Sequence, residues 1–303
     1  MRIRIGTRGS RLALIQTEIV IGRLRRASDA EFEVVHITTK GDINRQASID
    51  SMGEGIFEKE VNRALQEGEV DMAVHSLKDV PLDLPPSITL GAVPDRAPPN
   101  DVLFSPRYRS IAELPPLSQV GTSSSRRRAQ LLSARRDVRA AVLRGNVETR
   151  VQKVMAGQYA AALMAEAGLA RLGVLPSEVG RLSVEEFPTS PGQGAIAVYI
   201  RGSDHMLAEL LSKVNSPIHE AEVTAEREFL RALGGGCASP VGCTVTRSPE
   251  GLRMVAGMYA PDGSTFALRS FEGSTSDPTD LGRRAAATML KDDRVKSFWV
   301  RKA

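Results

Sequence analysis

The sequence predicts an α/β fold with two similar α/β domains, followed by a smaller α+β domain at the C-terminus. Its 303 residues exceed the usual size of a single domain. Through most of the chain, short β-branched runs alternate with segments whose apolar residues recur at helical spacing. The C-terminal part instead holds three strand-like runs and one final helical pattern, which is typical of an α+β domain.

The predicted first domain begins with a strand at residues 3–6 and a helical pattern at residues 12–20. Residues 32–39 and 70–76 are further β-branched, strand-like runs. The helical pattern between these two runs ends at Gly68, a residue that often terminates helices.

The second domain repeats the layout of the first. IRIGTRGSRLAL and SQVGTSSSRRRAQLL both read as strand, Gly-Thr, serine, arginine and helix. This similarity predicts two doubly wound, mainly parallel sheets facing a cleft, with ligands at the carboxyl ends of the strands. The predicted boundaries are 1–94 with 195–212, then 100–188, then 217–303.

Composition excludes several classes of protein. Lys and Arg number 40 against 36 Asp and Glu, and the net charge of +4 is too small for a bulk nucleic-acid binder. Aromatic residues at 4% offer few surfaces for stacking bases. The two cysteines predict neither a disulfide framework nor a metal site. We expect a cytoplasmic protein, because no signal-peptide or membrane-spanning pattern is present.

Three strand-to-helix junctions carry arginines, at residues 6–10, 121–127 and 143–150. Helix N-termini attract carboxylates and phosphates, and arginine binds a carboxylate through two hydrogen bonds. For either of the first two junctions alone, a capped helix with solvated arginines is an equal alternative. Their matching positions favour a shared anion site, to which Arg171 would add a further cation.

The HSLKDVP stretch places Lys78 and Asp79 at the end of a buried strand, where active residues of open α/β sheets lie. Asp79 is a candidate for stabilising a cation or moving protons, and a surface Lys–Asp pair is the alternative. His75 points inward and is interpreted as a core histidine with its hydrogen bonds satisfied.

Cys237 follows three glycines in the LRALGGGC stretch. An exposed glycine-rich loop near a helix end favours a reactive thiolate, whereas a buried, inert thiol is the alternative. Cys243, six residues further on, is predicted to lie in the core of a strand.

Together these motifs resemble the porphobilinogen deaminase (hydroxymethylbilane synthase) family. HSLKDVP, GTSSSRR, LRGNVETR, AGLARLG, PGQGAI and AEREFLRALGGGC occur in the family's order and spacing over nearly the whole chain. The resemblance implies three domains, the first two similar to type II periplasmic binding proteins. It also implies a transferase that joins four porphobilinogen molecules head to tail, with loss of ammonia, into the linear tetrapyrrole hydroxymethylbilane.

The resemblance assigns roles to individual residues. It implies that Cys237 carries a dipyrromethane cofactor as a thioether, and that Asp79 stabilises the azafulvene cation left when ammonia departs. The residues implied in cofactor binding, besides these two, are Lys78, Ser123, Ser124, Arg126 and Arg127. Those implied in substrate binding are Arg8, Ser10, Gln16, Arg144, Arg150, Arg171 and Gln193. Asp42 and Phe57 match a mobile loop of the family, although residues 50–57 lack the family's usual lysines.

The implied partner is the small molecule porphobilinogen, bound by a cytoplasmic monomer without metal, membrane or nucleic acid. Two other classes remain open from the residues alone. A non-catalytic anion sensor would use the same scaffold but would not need both Asp79 and Cys237. A nucleic-acid binder using the run of three arginines at residues 126–128 would show a steep salt dependence.

Overall fold

The computed structural model describes residues 1–39, 58–235 and 239–299. The chain forms two compact units, Met1–Ala97 with Gly194–Glu220 and Pro98–Gln193 with Ala221–Ala303. The second unit contains two separate sheets, one on each of its two chain segments. The chain thus divides into two units by its contacts, and the boundaries of the three predicted domains stay a prediction.

The first unit is built on five strands: β1 (Arg2–Arg8), β2 (Glu31–Ile37), β3 (Met72–Ser76), β4 (Ile88–Arg96) and β10 (Ala195–Arg201). Its helices are α1 (Arg11–Ala27), α2 (Lys59–Gln66), α6 (His205–Ser212) and the first residues of α7 (Pro217–Ala232). A short 3-10 turn, Leu77–Asp79, follows β3 directly. The strand order is β2-β1-β3-β10-β4.

The core of this unit lies between the sheet and α1. The apolar residues of β1 and β3 that point to one face pack against the apolar stripe of α1, including Val20 and Leu24. The spacing of these residues, two apart in the strands and three to four apart in the helix, is what the sequence pattern predicted.

The second unit contains a sheet with the same layout. Its strands are β5 (Asp101–Phe104), β6 (Gln119–Gly121), β7 (Arg139–Ala141), β8 (Ala161–Ala165) and β9 (Gly180–Arg181), and their order is β7-β6-β8-β5-β9. Its helices are α3 (Ser125–Ala134), α4 (Val147–Met155) and α5 (Glu166–Arg171).

Both five-stranded sheets are mixed, with one strand running against the others. That strand is β10 in the first sheet, between β3 and β4, and β5 in the second, between β8 and β9. The prediction of α/β folding with mainly parallel sheets is confirmed, but the sequence pattern did not reveal these antiparallel strands. β10 also confirms that the chain returns to the first sheet after the second one.

The C-terminal sheet is antiparallel, with β11 (Val241–Ser248), β12 (Gly251–Tyr259) and β13 (Phe266–Gly273) in sequence order. Helix α7 precedes it, and α8 (Pro278–Met289) and α9 (Asp293–Lys296) follow it. Gly282 lets α8 approach α7 closely, because a Cβ there would lie 2.6 Å from the carbonyl oxygen of Ala225. The predicted α+β character of this region is confirmed.

Candidate active site

Four predicted residues of the first unit lie at the carboxyl edge of its sheet. Arg8 is the last residue of β1, and Ser10 caps α1 by accepting a hydrogen bond from the amide of Ala13 at 3.3 Å. Lys78 and Asp79 lie in the 3-10 turn that follows β3. Because β1 and β3 are parallel neighbours, their carboxyl ends bring these residues to one edge.

Exposure differs among these residues. Asp79 is exposed to solvent, whereas Lys78 and Arg8 are half-buried. Gln16, by contrast, is buried on α1, and its amide donates to the hydroxyl of Ser76 at 2.8 Å. Asp79 is thus accessible to a ligand, whereas Gln16 joins α1 to the end of β3.

His75 is buried in β3, as predicted, but its hydrogen bonds are not all satisfied. Its Nε2 atom has no hydrogen-bond partner among the described residues. The ring lies edge-on to Tyr199, with 6.0 Å between the ring centroids. Burial, together with the positive charge of Arg8, lowers the pKa of His75 to about 4. The imidazole is therefore neutral at physiological pH.

In the second unit, the predicted serines shape the start of α3. Ser124 caps the helix by accepting from the amide of Arg127 at 3.4 Å, and Ser123 donates to the carbonyl oxygen of Leu143 at 2.6 Å. Both serines are half-buried. Ser123 therefore ties the N-terminus of α3 to the segment that follows β7.

Three further predicted arginines follow strands of the second unit's five-stranded sheet. Arg144 lies between β7 and α4, Arg150 lies on α4, and Arg171 ends α5. All three are half-buried. Arg150 donates from Nε to the carbonyl oxygen of Gly145 at 2.8 Å, and Gly145 has a φ of 114° that favours glycine.

Arg126 and Arg127 differ from the other predicted arginines because both are buried around one carboxylate. Asp101 accepts from Arg126 Nη1 at 2.8 Å and from Arg127 Nη2 at 2.6 Å. Burial alone would raise the pKa of Asp101, but the charges and hydrogen bonds of the two arginines bring it well below its ordinary value. Burial lowers the pKa of Arg126, although the charge of Asp101 opposes that shift. We interpret the three groups as ionised.

Gln193 joins this cluster. Its side chain is 1% exposed and donates to the carbonyl oxygen of Pro99 at 2.6 Å and to Asp101 Oδ1 at 2.8 Å. Its amide oxygen accepts from Arg127 Nη2 at 3.3 Å. Gln193 therefore bonds to the protein itself through both ends of its amide.

The segment 188–193 that ends in Gln193 is fastened to the C-terminal sheet. Thr189 exchanges hydrogen bonds with Thr244 and accepts from the amide of Cys243 at 2.7 Å. The amide of Gly192 donates to Glu226 on α7 at 2.6 Å. The buried network thus runs from α7 to the arginines of α3.

Three predicted residues, Asp42, Phe57 and Cys237, lie outside the described residues. Gly234, shortly before Cys237 in the chain, adopts a φ of 67°, which favours glycine at the end of α7. A Cβ at Gly235 would lie 3.3 Å from the ring of Trp299, the single tryptophan of the sequence. Cys243 is fully buried in β11, which confirms the prediction for that residue.

Sequence reasoning missed Asp101, Gln130 and Glu226. Gln130 donates to the carbonyl oxygen of Pro188 at 2.8 Å and accepts from Arg126. The one available signal was an aspartate directly before the apolar run at residues 102–104, since a charge at the start of a buried strand requires a partner.

Within the described residues, no helix is both long and apolar enough to cross a membrane.

Comparison with known proteins identifies the family. Residues 3–209 match the family model "Porphobilinogen deaminase, dipyromethane cofactor binding domain", and residues 220–291 match "Porphobilinogen deaminase, C-terminal domain". The chain belongs to the porphobilinogen deaminase family. The predictions of family, enzyme class and dipyrromethane cofactor are thereby confirmed, and membership implies a role in tetrapyrrole biosynthesis.

Individual relatives agree with this assignment. The chain is 46% identical to a probable porphobilinogen deaminase of Pyrobaculum neutrophilum, over 94% of this chain and 97% of the relative. It is 40% identical to the porphobilinogen deaminase of Thiobacillus denitrificans, over 95% of each chain.

Among solved structures, the methionine-binding protein MetQ covers 70% of this chain, and this chain covers 88% of MetQ, with a TM-score of 0.46 and 13% identity.

The described residues fit a dipyrromethane, which carries the acetate and propionate carboxylates of its pyrroles. Half-buried cations follow strands in both units, namely Arg8 and Lys78 in the first unit and Arg144, Arg150 and Arg171 in the second. Arg127 Nε is moreover a buried donor with no acceptor among the described residues. Such donors and cations are the groups that bind carboxylates.

Proposed function

We propose that this protein condenses four porphobilinogen molecules head to tail into hydroxymethylbilane, starting from a dipyrromethane attached to Cys237. The observation that carries the proposal is the exposed carboxylate of Asp79 at the end of β3, in a chain of this family, beside the half-buried cations Lys78 and Arg8. When bound, the cofactor supplies a pyrrole carbon to which the first substrate is joined.

The proposed role of Asp79 follows from the charge that develops on the substrate. Loss of ammonia breaks the carbon–nitrogen bond of the aminomethyl group and leaves a cationic azafulvene. A carboxylate placed close to the pyrrole N–H stabilises this cation, an effect worth roughly 3 kcal/mol for one well-positioned group. Exposure suits Asp79 to this role because the group must meet each new substrate in turn.

The arginines have a different proposed role. Each porphobilinogen adds two carboxylates, so a growing chain needs fixed cations to neutralise its charge. We propose that Arg8, Arg144, Arg150 and Arg171 bind substrate carboxylates, and that Ser10 supports them. Lys78, Ser123, Ser124, Arg126 and Arg127 are proposed to hold the cofactor. The bonds of Gln16 and Gln193 described above are internal to the protein.

Intact-protein mass spectrometry tests this proposal. The purified, active protein is expected to carry an excess mass equal to two linked pyrroles, and Cys237→Ala is expected to lack it. Cys243→Ala is the matched control, because that thiol is buried in a strand. An active wild-type protein of unmodified mass would show that the attachment to Cys237 is wrong.

An assay of turnover tests the proposed reaction itself. Steady consumption of porphobilinogen with release of ammonia is expected from the wild-type protein. Protein that carries the cofactor but releases no ammonia would contradict the proposed reaction.

A further inference from the structure

We propose that Asp101 and Gln193 are positioning residues, which hold the guanidinium groups of Arg126 and Arg127 in the geometry needed to bind carboxylates. This inference rests on the proposed function and deepens it. Neither residue needs to touch the substrate, because each acts through the arginines.

The location of Asp101 follows from the direction of β5. Because β5 runs against its neighbours, its first residue lies at the edge where β8 ends, and Asp101 pairs with Ala165 in the register of the two strands. The arginines of α3 reach the same edge from the first turn of that helix. A carboxylate that is 1% exposed thus lies between two guanidinium groups.

The charges of this cluster do not cancel. One carboxylate faces two guanidinium groups, so a single positive charge remains for a ligand. Removing Asp101 would leave two buried cations side by side, which repel each other and lose their charge-assisted hydrogen bonds. Asp101 therefore permits two arginines to occupy one buried site.

Gln193 supplies both a donor and an acceptor at its place without adding charge. Its amide nitrogen donates to Asp101 Oδ1, while its amide oxygen accepts from Arg127 Nη2. A carboxylate could accept from the arginine but could not donate to Asp101. A methionine of similar volume could do neither.

The backbone next to Gln193 is held from the C-terminal sheet. Thr189 bonds to Thr244 of β11, and the amide of Gly192 donates to Glu226 of α7. The carbonyl oxygen of Pro188, in the same segment, accepts from Arg126 Nη1 at 3.2 Å. Segment 188–193 thus sets the position of both guanidinium groups.

The test compares Gln193→Met with Ser105→Ala. Ser105 is also buried in the second unit; it donates to the carbonyl oxygen of Ala160 at 2.8 Å and accepts from the amides of Arg107 and Tyr108 at 3.2 Å. Among the described residues it makes no hydrogen bond to the cluster of Asp101, Gln193, Arg126 and Arg127. Both variants lose buried hydrogen bonds. Because Arg126 and Arg127 are proposed to hold the cofactor, we expect the share of purified protein that carries the cofactor mass to fall about tenfold in Gln193→Met, a typical result of losing such bonds. Ser105→Ala should keep the wild-type share.

A pH profile of Gln193→Glu separates positioning from a general loss of stability. When protonated, the introduced carboxyl can donate to Asp101 and accept from Arg127, as the amide does. We expect its kcat/KM, relative to wild type, to recover only as the pH falls towards the ordinary glutamate pKa of about 4.3, whereas Gln193→Met shows no recovery.

The outcomes are distinct. If the wild type is active and Gln193→Met and Ser105→Ala carry the cofactor mass in equal shares, the positioning roles alone would be overturned. The positioning roles would also be overturned if the kcat/KM of Gln193→Glu, relative to wild type, did not change with pH. A wild-type protein that consumes no porphobilinogen would instead overturn the proposed function, before any variant is compared. Loss of the cofactor mass in Gln193→Met but not in Ser105→Ala would support the inference.

Discussion

The two five-stranded sheets have the same strand order and direction, but their carboxyl edges use carboxylates differently. In the second sheet, Asp101 stands opposite Ala165, the last residue of β8, and is buried between two arginines. In the first sheet, the buried Ile196 stands opposite Ser76, the last residue of β3. The carboxylate of that edge is Asp79, which lies beyond the strand and is exposed.

One sheet topology can thus place one carboxylate in a buried position and another in an accessible position. A carboxylate placed on the antiparallel strand is enclosed by the sheet and serves to hold cations. A carboxylate placed on the turn after a parallel strand stays accessible and can act on a ligand. The comparison predicts that Asp101 matters first for stability and Asp79 first for turnover.

The largest expected effect is on stability, from Asp101→Asn. Removing the charge leaves two buried guanidinium groups without an anionic partner, which should lower the free energy of unfolding by about 3–5 kcal/mol. Urea unfolding followed by circular dichroism measures the change. Asp79→Asn is the matched control and should stay within about 0.5 kcal/mol of wild type. Equal stability of the two variants would remove the proposed distinction.

The next effect is on activity, from Asp79→Asn. Loss of the charge that stabilises the substrate cation should lower kcat by about 10²- to 10³-fold, while the mass of the bound cofactor is retained. The control is Asp83→Asn, which removes an exposed carboxylate a few residues further along the chain and should leave kcat unchanged. Near-normal turnover by Asp79→Asn would show that the exposed carboxylate has no catalytic role.

A third prediction concerns pH and a residue that only the first sheet has. His75 precedes the last residue of β3, and the corresponding position of β8 is Met164. The pKa of His75 falls to about 4 on folding. Between pH 4 and the ordinary histidine pKa, the unfolded chain therefore binds a proton that the folded chain does not bind. The contribution of His75 to the free energy of unfolding is fully present above this pH range and is lost as the pH is lowered through it.

The magnitude follows from the size of the pKa shift. Unfolding should become easier by about 2 kcal/mol between pH 7 and pH 5 on account of His75. His75→Met, which copies the second sheet, should lose this part of the acid sensitivity. Urea unfolding at both pH values measures it, and an unchanged difference in the variant would contradict the prediction.

The smallest expected effect is one that the two sheets share. Ser10 and Ser124 cap the helices that follow β1 and β6, and each accepts from a backbone amide three residues further on. Ser10→Ala and Ser124→Ala should each lower the free energy of unfolding by about 1 kcal/mol. Thermal unfolding of the two variants tests whether the caps are equivalent. A clearly larger loss in Ser124→Ala would indicate that its cap also supports the arginine cluster.

The sequence predicted the fold well because its signals are local. The periodicity of α1 and the β-branched runs of β1 and β3 depend on neighbouring residues only. The antiparallel strands β5 and β10 were not predicted, because a buried strand shows the same apolar run in either direction.

The candidate site was predictable only in part. Motifs placed Arg8 and Asp79 at the ends of strands, as the structure does. They did not reveal the partners of Arg126 and Arg127, because Asp101 and Gln193 are distant in sequence from α3 and meet it only in the folded chain. The aspartate before the apolar run at residues 102–104 signals that a partner is needed, but it does not show which residues supply it.

The packing of Trp299 against Gly235 has a practical consequence for studying turnover. The protein has one tryptophan, and its indole lies beside the backbone two residues before the proposed attachment cysteine. The indole Nε1 atom is buried and has no acceptor among the described residues. Its ultraviolet emission is therefore a native optical signal from the chain two residues before Cys237, readable in real time without a label.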